Sequence, residues 1–260
     1  MTNKLLIIDA LNLIRRIFAI EESFAKDKPE HAIQNCSQNI INACRRILKT
    51  DSFSHAIAVF DGSKSWRYHY YSDYKANRKP MPDELKQNLP ALYKSFQQCG
   101  ISVLTPEYDE ADDVIATLAY RAHTMQIPAT IVSTDKGFLP FTELNTISVL
   151  DHFEKRYRDK EYVLEKFGVS PNKLFDYWAL TGDKTNDIPG VKGIGKKTAC
   201  DIVNNYQSVH DAICVEQSNT KWSQKLVSNY RDYIVSKLLV TLRTDVSINL
   251  NLRDIRKVEH

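Results

Sequence analysis

The chain has 260 residues, 43% of them hydrophobic and 26% charged, with a formal net charge of +3. That length can bury one large core and a smaller one, and no run of roughly 18 uncharged apolar residues exists, so disordered and membrane-spanning classes are excluded. A charge this small does not announce a polyanion partner by itself, although Lys and Arg crowd residues 64–79 and 192–197.

Residues 1–6 carry no basic n-region, long apolar stretch or cleavage site, so no secretory signal is read and a cytoplasmic location without membrane association is expected. The five cysteines (Cys36, Cys44, Cys99, Cys200 and Cys214) are odd in number and form no C-x-x-C pair, which predicts free thiols rather than a thiolate metal site. Residues 4–8 are an apolar run closed by Asp9, and a helical pattern follows over 31–49. Residues 55–60 are a second apolar run, closed by Asp61. Residues 62–82 are polar, aromatic and basic without clear periodicity, and a long irregular connection of this kind is usually functional. A helix is predicted over 83–98, a strand over 101–104, a helix over 110–125, and a strand over 129–132 followed by Ser133, Thr134 and Asp135. Residues 147–150 suit a fifth strand. Strands alternating with helices predict an α/β domain over 1–160, with a parallel sheet covered on both faces. Beyond it the pattern becomes helical, over 161–167, 171–181, 196–206, 208–215 and 222–242, which predicts a second, helical region over 161–260.

Ligands of an open α/β sheet bind beyond the carboxyl ends of its strands. Asp9, Asp61 and Asp135 each follow a strand and should point into one crevice, joined by Glu110-Ala111-Asp112-Asp113 at the start of a helix. Any one of these acids could be a cap or turn residue. Together they need cations, because two carboxylates about 4 Å apart repel by roughly 4 kcal/mol at an effective dielectric near 20. Oxygen ligands without His or Cys select Mg²⁺, with Mn²⁺ or Ca²⁺ as alternatives, over zinc.

Residues 188–198 read IPGVKGIGKKT: Gly190, Gly193 and Gly195 open a helix beside Lys192, Lys196 and Lys197. No strand precedes the turn and the Walker spacing is absent. The segment therefore predicts either a clamp on a DNA backbone, through Gly193, Ile194, Gly195 and Thr198 as well as the lysines, or a plain loop between packed helices.

The segments LLIIDALN, VFDG, YKANRKPMPDEL, EADD, STDKGF and TGDKTNDIPGVKGIGKKTA occur in the order found in the 5′ nuclease, or flap endonuclease, family. The resemblance spans residues 4–205 and includes a stand-alone bacterial branch of the exonuclease IX type. It implies a PIN-like α/β nuclease domain with 62–82 as an arch, then a helix–three-turn–helix that grips duplex DNA and holds K⁺. It further implies Asp9, Asp61, Glu110, Asp112, Asp113 and Asp135 as the acids of the first metal site, with Asp113 among the catalytic residues. Lys75 and Arg78 would meet the scissile phosphate and Tyr74 would stack on a base, while packing under the arch is expected for at least two of Tyr68, Tyr70, Tyr71 and Tyr74. Leu180, Thr181, Pro189, Val191 and Ile194 would supply the K⁺ oxygens.

The sequence departs from the family pattern twice. Gly137 and Asn186 stand where acids are usual, Asp187 is displaced by one, and Asp183 alone remains of three second-site carboxylates. The expected activity is therefore cleavage of 5′-flap or branched DNA by a monomer with a degraded second metal site. The alternatives are a branched-DNA-binding protein with little catalysis and, less well matched, an RNA-cleaving PIN nuclease.

Overall fold

The computed structural model describes residues 3–24 and 29–257, leaving Met1 and Thr2 outside the described residues. Leu5–Asp9 (β1) is apolar through Ile8 and buried at every position, as the centre of a parallel sheet demands. It pairs in parallel with His55–Val59 (β2) on one side and Ala129–Val132 (β4) on the other. Ser102–Leu104 (β3), Ile147–Asp151 (β5) and the short Arg156–Tyr157 (β6) complete a six-stranded sheet of order β3-β2-β1-β4-β5-β6, with only β6 antiparallel. The strand order reverses between β1 and β4, and that switch point is where an open sheet leaves a crevice.

Helices cover both faces, as expected. Ala10–Phe24 (α1), Pro29–Leu48 (α2) and Asp83–Gln97 (α4) pack one face through Leu13, Ile14, Phe18, Ile40, Leu92 and Phe96. Ala111–Thr124 (α5) covers the other with Val114, Ile115 and Leu118. The helix α1 is an element beyond those predicted; its apolar side falls on Ala10, Leu13, Ile14, Ile17 and Phe18, the spacing of one helical face. Segment 62–82 is irregular apart from one short helix, Arg67–Tyr70 (α3).

A separate core, built around Trp178, Leu180, Ile202 and Leu226, gathers the helices Lys160–Phe167 (α6), Leu174–Thr181 (α7), Lys196–Asn205 (α8), Val209–Glu216 (α9), Lys221–Ser228 (α10) and Tyr230–Val240 (α11). The single helix predicted over 222–242 is broken at Asn229, whose backbone (φ −121°, ψ 28°) leaves the helical region and whose side-chain amide donates to the Lys225 carbonyl at 2.7 Å. Residues 242–257 then leave the helical region and run back over the sheet. Val246 N–H donates to Thr117 Oγ1 at 3.2 Å, Arg121 donates to the Val246 carbonyl at 2.8 Å, and Arg256 forms an antiparallel bridge with His55, the first residue of β2.

Candidate active site

The crevice at the β1–β4 switch point collects the strand-end acids. Asp9 is buried, accepting from the Ser133 hydroxyl at 2.8 Å and the Asn12 amide at 3.2 Å. Burial, with the charges of Asp61 and Asp135, pushes its carboxyl up to about 7 against those two hydrogen bonds. Asp61 accepts the Ala111 N–H at 2.9 Å and so ties the end of β2 to the first turn of α5. Asp135 caps the 3₁₀ segment Lys136–Glu143 by accepting from Gly137 N–H at 2.7 Å. Asp112 faces the same group: burial, then the charges of Asp135, Asp9 and Asp61, hold it well above the ordinary carboxylate range. The charges of Asp61 and Asp135 thus bear on both Asp9 and Asp112, and the four acids form a field that a hard cation would neutralise. Among the described residues no three His, Cys, Asp or Glu side chains converge tightly enough to ligate an ion as they stand. What fits a cation here is thus the charge and oxygen chemistry of the set, with water able to complete the ligation.

Glu110 and Asp113 are drawn off in another direction. Arg67, itself buried, donates to Glu110 at 2.6 Å and to both oxygens of Asp113 at 2.7 and 2.8 Å. Asp113, with no exposed surface, also accepts from Trp66 Nε1 and from Arg243 N–H, each at 2.9 Å. Where the resemblance implies a catalytic, metal-ligating Asp113, its lone pairs here serve a buried junction between the arch, α5 and residues 242–257. Glu110 is held between Arg67 and Lys75, whose Nζ lies 2.5 Å from Oε1. Burial acts to raise its carboxyl, but the two cations outweigh it and leave Glu110 below its ordinary value.

Lys75 and Arg78 line a cavity of about 300 Å³ beside Asp61, Lys64 and Glu110. Arg15 of α1 joins them there, and its Nε is buried without a hydrogen-bond partner. Sequence reasoning missed Arg15, although a basic residue beside the apolar side of a helix that starts at Asp9 was a usable signal. Tyr74 is buried, with its hydroxyl 3.4 Å from both oxygens of Glu110; of the two roles expected for it, base stacking and packing under the arch, this structure holds it in the packed one. Tyr68 and Tyr70 are the exposed rings of the arch.

The acids expected for a second ion are also spoken for. Lys136 Nζ sits 2.7 Å from Asp183 Oδ1, and the Asn186 amide donates to Oδ2 at 2.9 Å. An ammonium therefore meets the charge of Asp183, where an ion would need it free. Asp187 faces the arch instead, binding Asn77.

In the turn after α7, Gly182, Gly190 and Gly193 have φ of 78°, 70° and 81°. A side chain on Gly190 would lie 2.3 Å from Gly182 N, so the two backbone passes touch only because both residues are glycine. The carbonyls of Thr181, Pro189 and Ile194 accept no backbone hydrogen bond among the described residues, whereas those of Leu180 and Val191 accept from Val191 and Ile194. Lys192, Gly193, Gly195, Lys196 and Lys197 are exposed, Thr198 is half-buried, and Ile194 is buried. Gly195 begins α8 without a side-chain cap, leaving the first amides of that helix open. Lys225 of α10, which sequence reasoning did not reach, approaches the same turn, with its Nζ 3.4 Å from the Gly193 carbonyl.

Residues 4–168 match the family model described as the 5′-3′ exonuclease N-terminal resolvase-like domain, and residues 169–260 match its C-terminal SAM fold. A protein of Pseudoalteromonas translucida named flap endonuclease Xni is 48% identical, over 97% of this chain and 98% of that protein. Its namesake in Psychromonas ingrahamii is 42% identical, over 98% of each chain. Among solved structures, a T5 5′-exonuclease with bound zinc ions superposes with a TM-score of 0.73 at 22% identity, covering 92% of this chain and 89% of the other. The flap endonuclease-1 of Methanococcus jannaschii gives 0.55 at 19% identity, over 96% and 82%; at such identities the likeness is one of fold. With both domain models matched in order across the described sheet and helical regions, the chain belongs to the 5′-3′ exonuclease family.

Proposed function

We propose that this chain is a divalent-metal-dependent, structure-specific 5′ nuclease that hydrolyses a phosphodiester of flapped or branched DNA. The observation that carries the reading is the set Asp9, Asp61, Asp112 and Asp135 at the sheet switch point, of which Asp61 also lines the cavity shared by Lys75, Arg78 and Arg15. Anionic oxygens beside cationic side chains are what a metal ion and a phosphate need together. The relatives' name and the metal ions in the T5 neighbour support the same reading.

Asp9, Asp61, Asp112 and Asp135 would hold Mg²⁺, or Mn²⁺, in part through water. A bound ion of this kind lowers the pKa of water and offsets charge on a leaving oxygen. Arg78 and, once released from Glu110, Lys75 orient the phosphate and offset its charge. Lys192, Lys196, Lys197, Lys225 and the open amides of α8 hold the duplex backbone without reading sequence. The free carbonyls of Thr181, Pro189 and Ile194 would hold K⁺ in the turn. Lys136 and Asn186 leave Asp183 a poor ligand, so the second site is degraded and cleavage should be slow at low Mg²⁺. That feature alone favours a second reading, in which the protein mainly binds branched DNA. Incubation of an end-labelled 5′-flap duplex with Mg²⁺ or Mn²⁺ decides between them. Cleavage at the flap base supports the nuclease, and binding without cleavage at any metal concentration supports the second reading.

A further inference from the structure

We infer that Asp187 and Asn77 are positioning residues, a clasp between the arch and the helical region that sets Lys75 and Arg78 over the site. The inference rests on the nuclease reading above. Asn77 offers two donors to the one carboxylate: its backbone N–H reaches Asp187 Oδ2 at 3.0 Å and its side-chain amide reaches Oδ1 at 2.9 Å. Two residues earlier, the Lys75 N–H donates to the Asn186 carbonyl at 3.0 Å. Three hydrogen bonds thus join residues 75–77 to residues 186–187 across more than a hundred positions of sequence.

The backbone on both sides is in the left-handed region, with φ of 55° at Lys75 and 55° at Asp187. Residues other than glycine keep that conformation only where their surroundings over-determine it, and such strain gathers at functional sites. Here each left-handed residue lies within the contact that holds the other side. The turn following Lys75 continues to Arg78, whose N–H donates to the Lys75 carbonyl at 3.1 Å. Fixing Asn77 therefore fixes the turn that presents both cations to the cavity.

The clasp also explains the displaced acid. Asp183 Oδ2 takes the Asn186 amide, and the carboxylate at 187 serves the arch. Asn77 is exposed and Asp187 partly so, and neither belongs to a hydrophobic core, so removing their side chains should spare the fold.

Two measurements test this on the full-length protein: backbone amide hydrogen exchange without DNA or metal, and single-turnover cleavage of a labelled 5′-flap duplex. In Asp187→Ala the amides of Lys75 and Asn77 should lose protection while α7 and α8 keep theirs. Unchanged protection at Lys75 overturns the clasp, and this readout stands even if the protein cleaves nothing. Asp187→Ala and Asn77→Ala should each lower the single-turnover rate about tenfold, the cost of a small misplacement of a positioned group. Their combination should be no worse than either alone, and duplex affinity should be unchanged. Lys75→Ala should cost much less in the Asp187→Ala background than in the wild type, and Asp187→Asn should restore part of the rate. Lost protection with an unchanged rate, or additive losses in the double variant, overturns the positioning role.

Discussion

Asp9→Asn is expected to make the metal-free protein more stable while disabling its site. Asp9 is buried among like charges, and its carboxyl is carried from the ordinary 3.8 to about 7. Between those values the native state holds a proton that the unfolded chain has released, so stability falls as pH rises through this window and the loss is complete above about 7. Each pH unit is worth about 1.4 kcal/mol, so the charge costs the native state about 2 kcal/mol at pH 5 and at most about 4 kcal/mol at pH 8. Asparagine carries no charge and fits the same partners: Asn12 N–H still finds the amide oxygen, and the Ser133 hydroxyl can rotate to accept from the new NH₂. Urea unfolding of both proteins in chelator at pH 5 and pH 8 should show the variant ahead, by about 2 kcal/mol more at pH 8. Saturating Mg²⁺ or Mn²⁺ should then stabilise the wild type more than the variant. A variant no more stable at either pH, or a gain that does not grow with pH, would refute the account of a repulsive acid cluster awaiting a cation.

Arg67→Ala leaves Asp113 buried without its cation, so urea unfolding should show a loss of about 3–5 kcal/mol, and a loss under about 1 kcal/mol would mean the junction is soft. Lys136→Met should cost about 1–3 kcal/mol, less than Arg67→Ala, because Lys136 is 35% exposed but its partner Asp183 is buried and would keep only the Asn186 and Thr185 donors; urea unfolding checks it. Gly137→Asp with Asn186→Asp should raise the cleavage rate at low Mg²⁺, more so when Lys136 is also replaced; Gly137 has an ordinary backbone, and its added Cβ would meet Asp135 Oδ1 at 3.2 Å. An unaltered rate and metal dependence would mean the second site is not what limits the protein. Exchanging K⁺ for a large organic cation at equal ionic strength should weaken duplex binding several-fold, and indifference would count against an ion in the turn.

The parts of this fold legible in sequence are those with local signatures. Apolar runs closed by Asp9 and Asp61, and a helix opened by Glu110 and Asp112, announced a sheet and its carboxyl-end crevice without any long-range information. The fate of Asp113 was not legible, because its partner Arg67 lies 46 residues away in a segment without periodicity. Lys136 pairs with Asp183 across 47 residues for the same reason. Asn229 breaks a helix through its own backbone geometry, which a hydrophobic pattern spanning it hides. The place of Tyr74 is open in the sequence because a tyrosine in a basic segment reads alike whether its ring meets a base or, as here, Glu110 and a hydrophobic core.

Cleavage of an end-labelled 5′-flap duplex by the wild type and by Asp112→Asn, at matched protein and Mg²⁺ concentrations, tests the central claim most directly. Asp112 belongs to the acid cluster yet, unlike Asp113, takes no part in the buried ion-pair junction. Mg²⁺-dependent incision at the flap base is expected of the wild type, with a loss of about 10²-fold or more in Asp112→Asn and flap binding retained in both. Equal cleavage by the two proteins, or none by the wild type under any divalent metal, would contradict it.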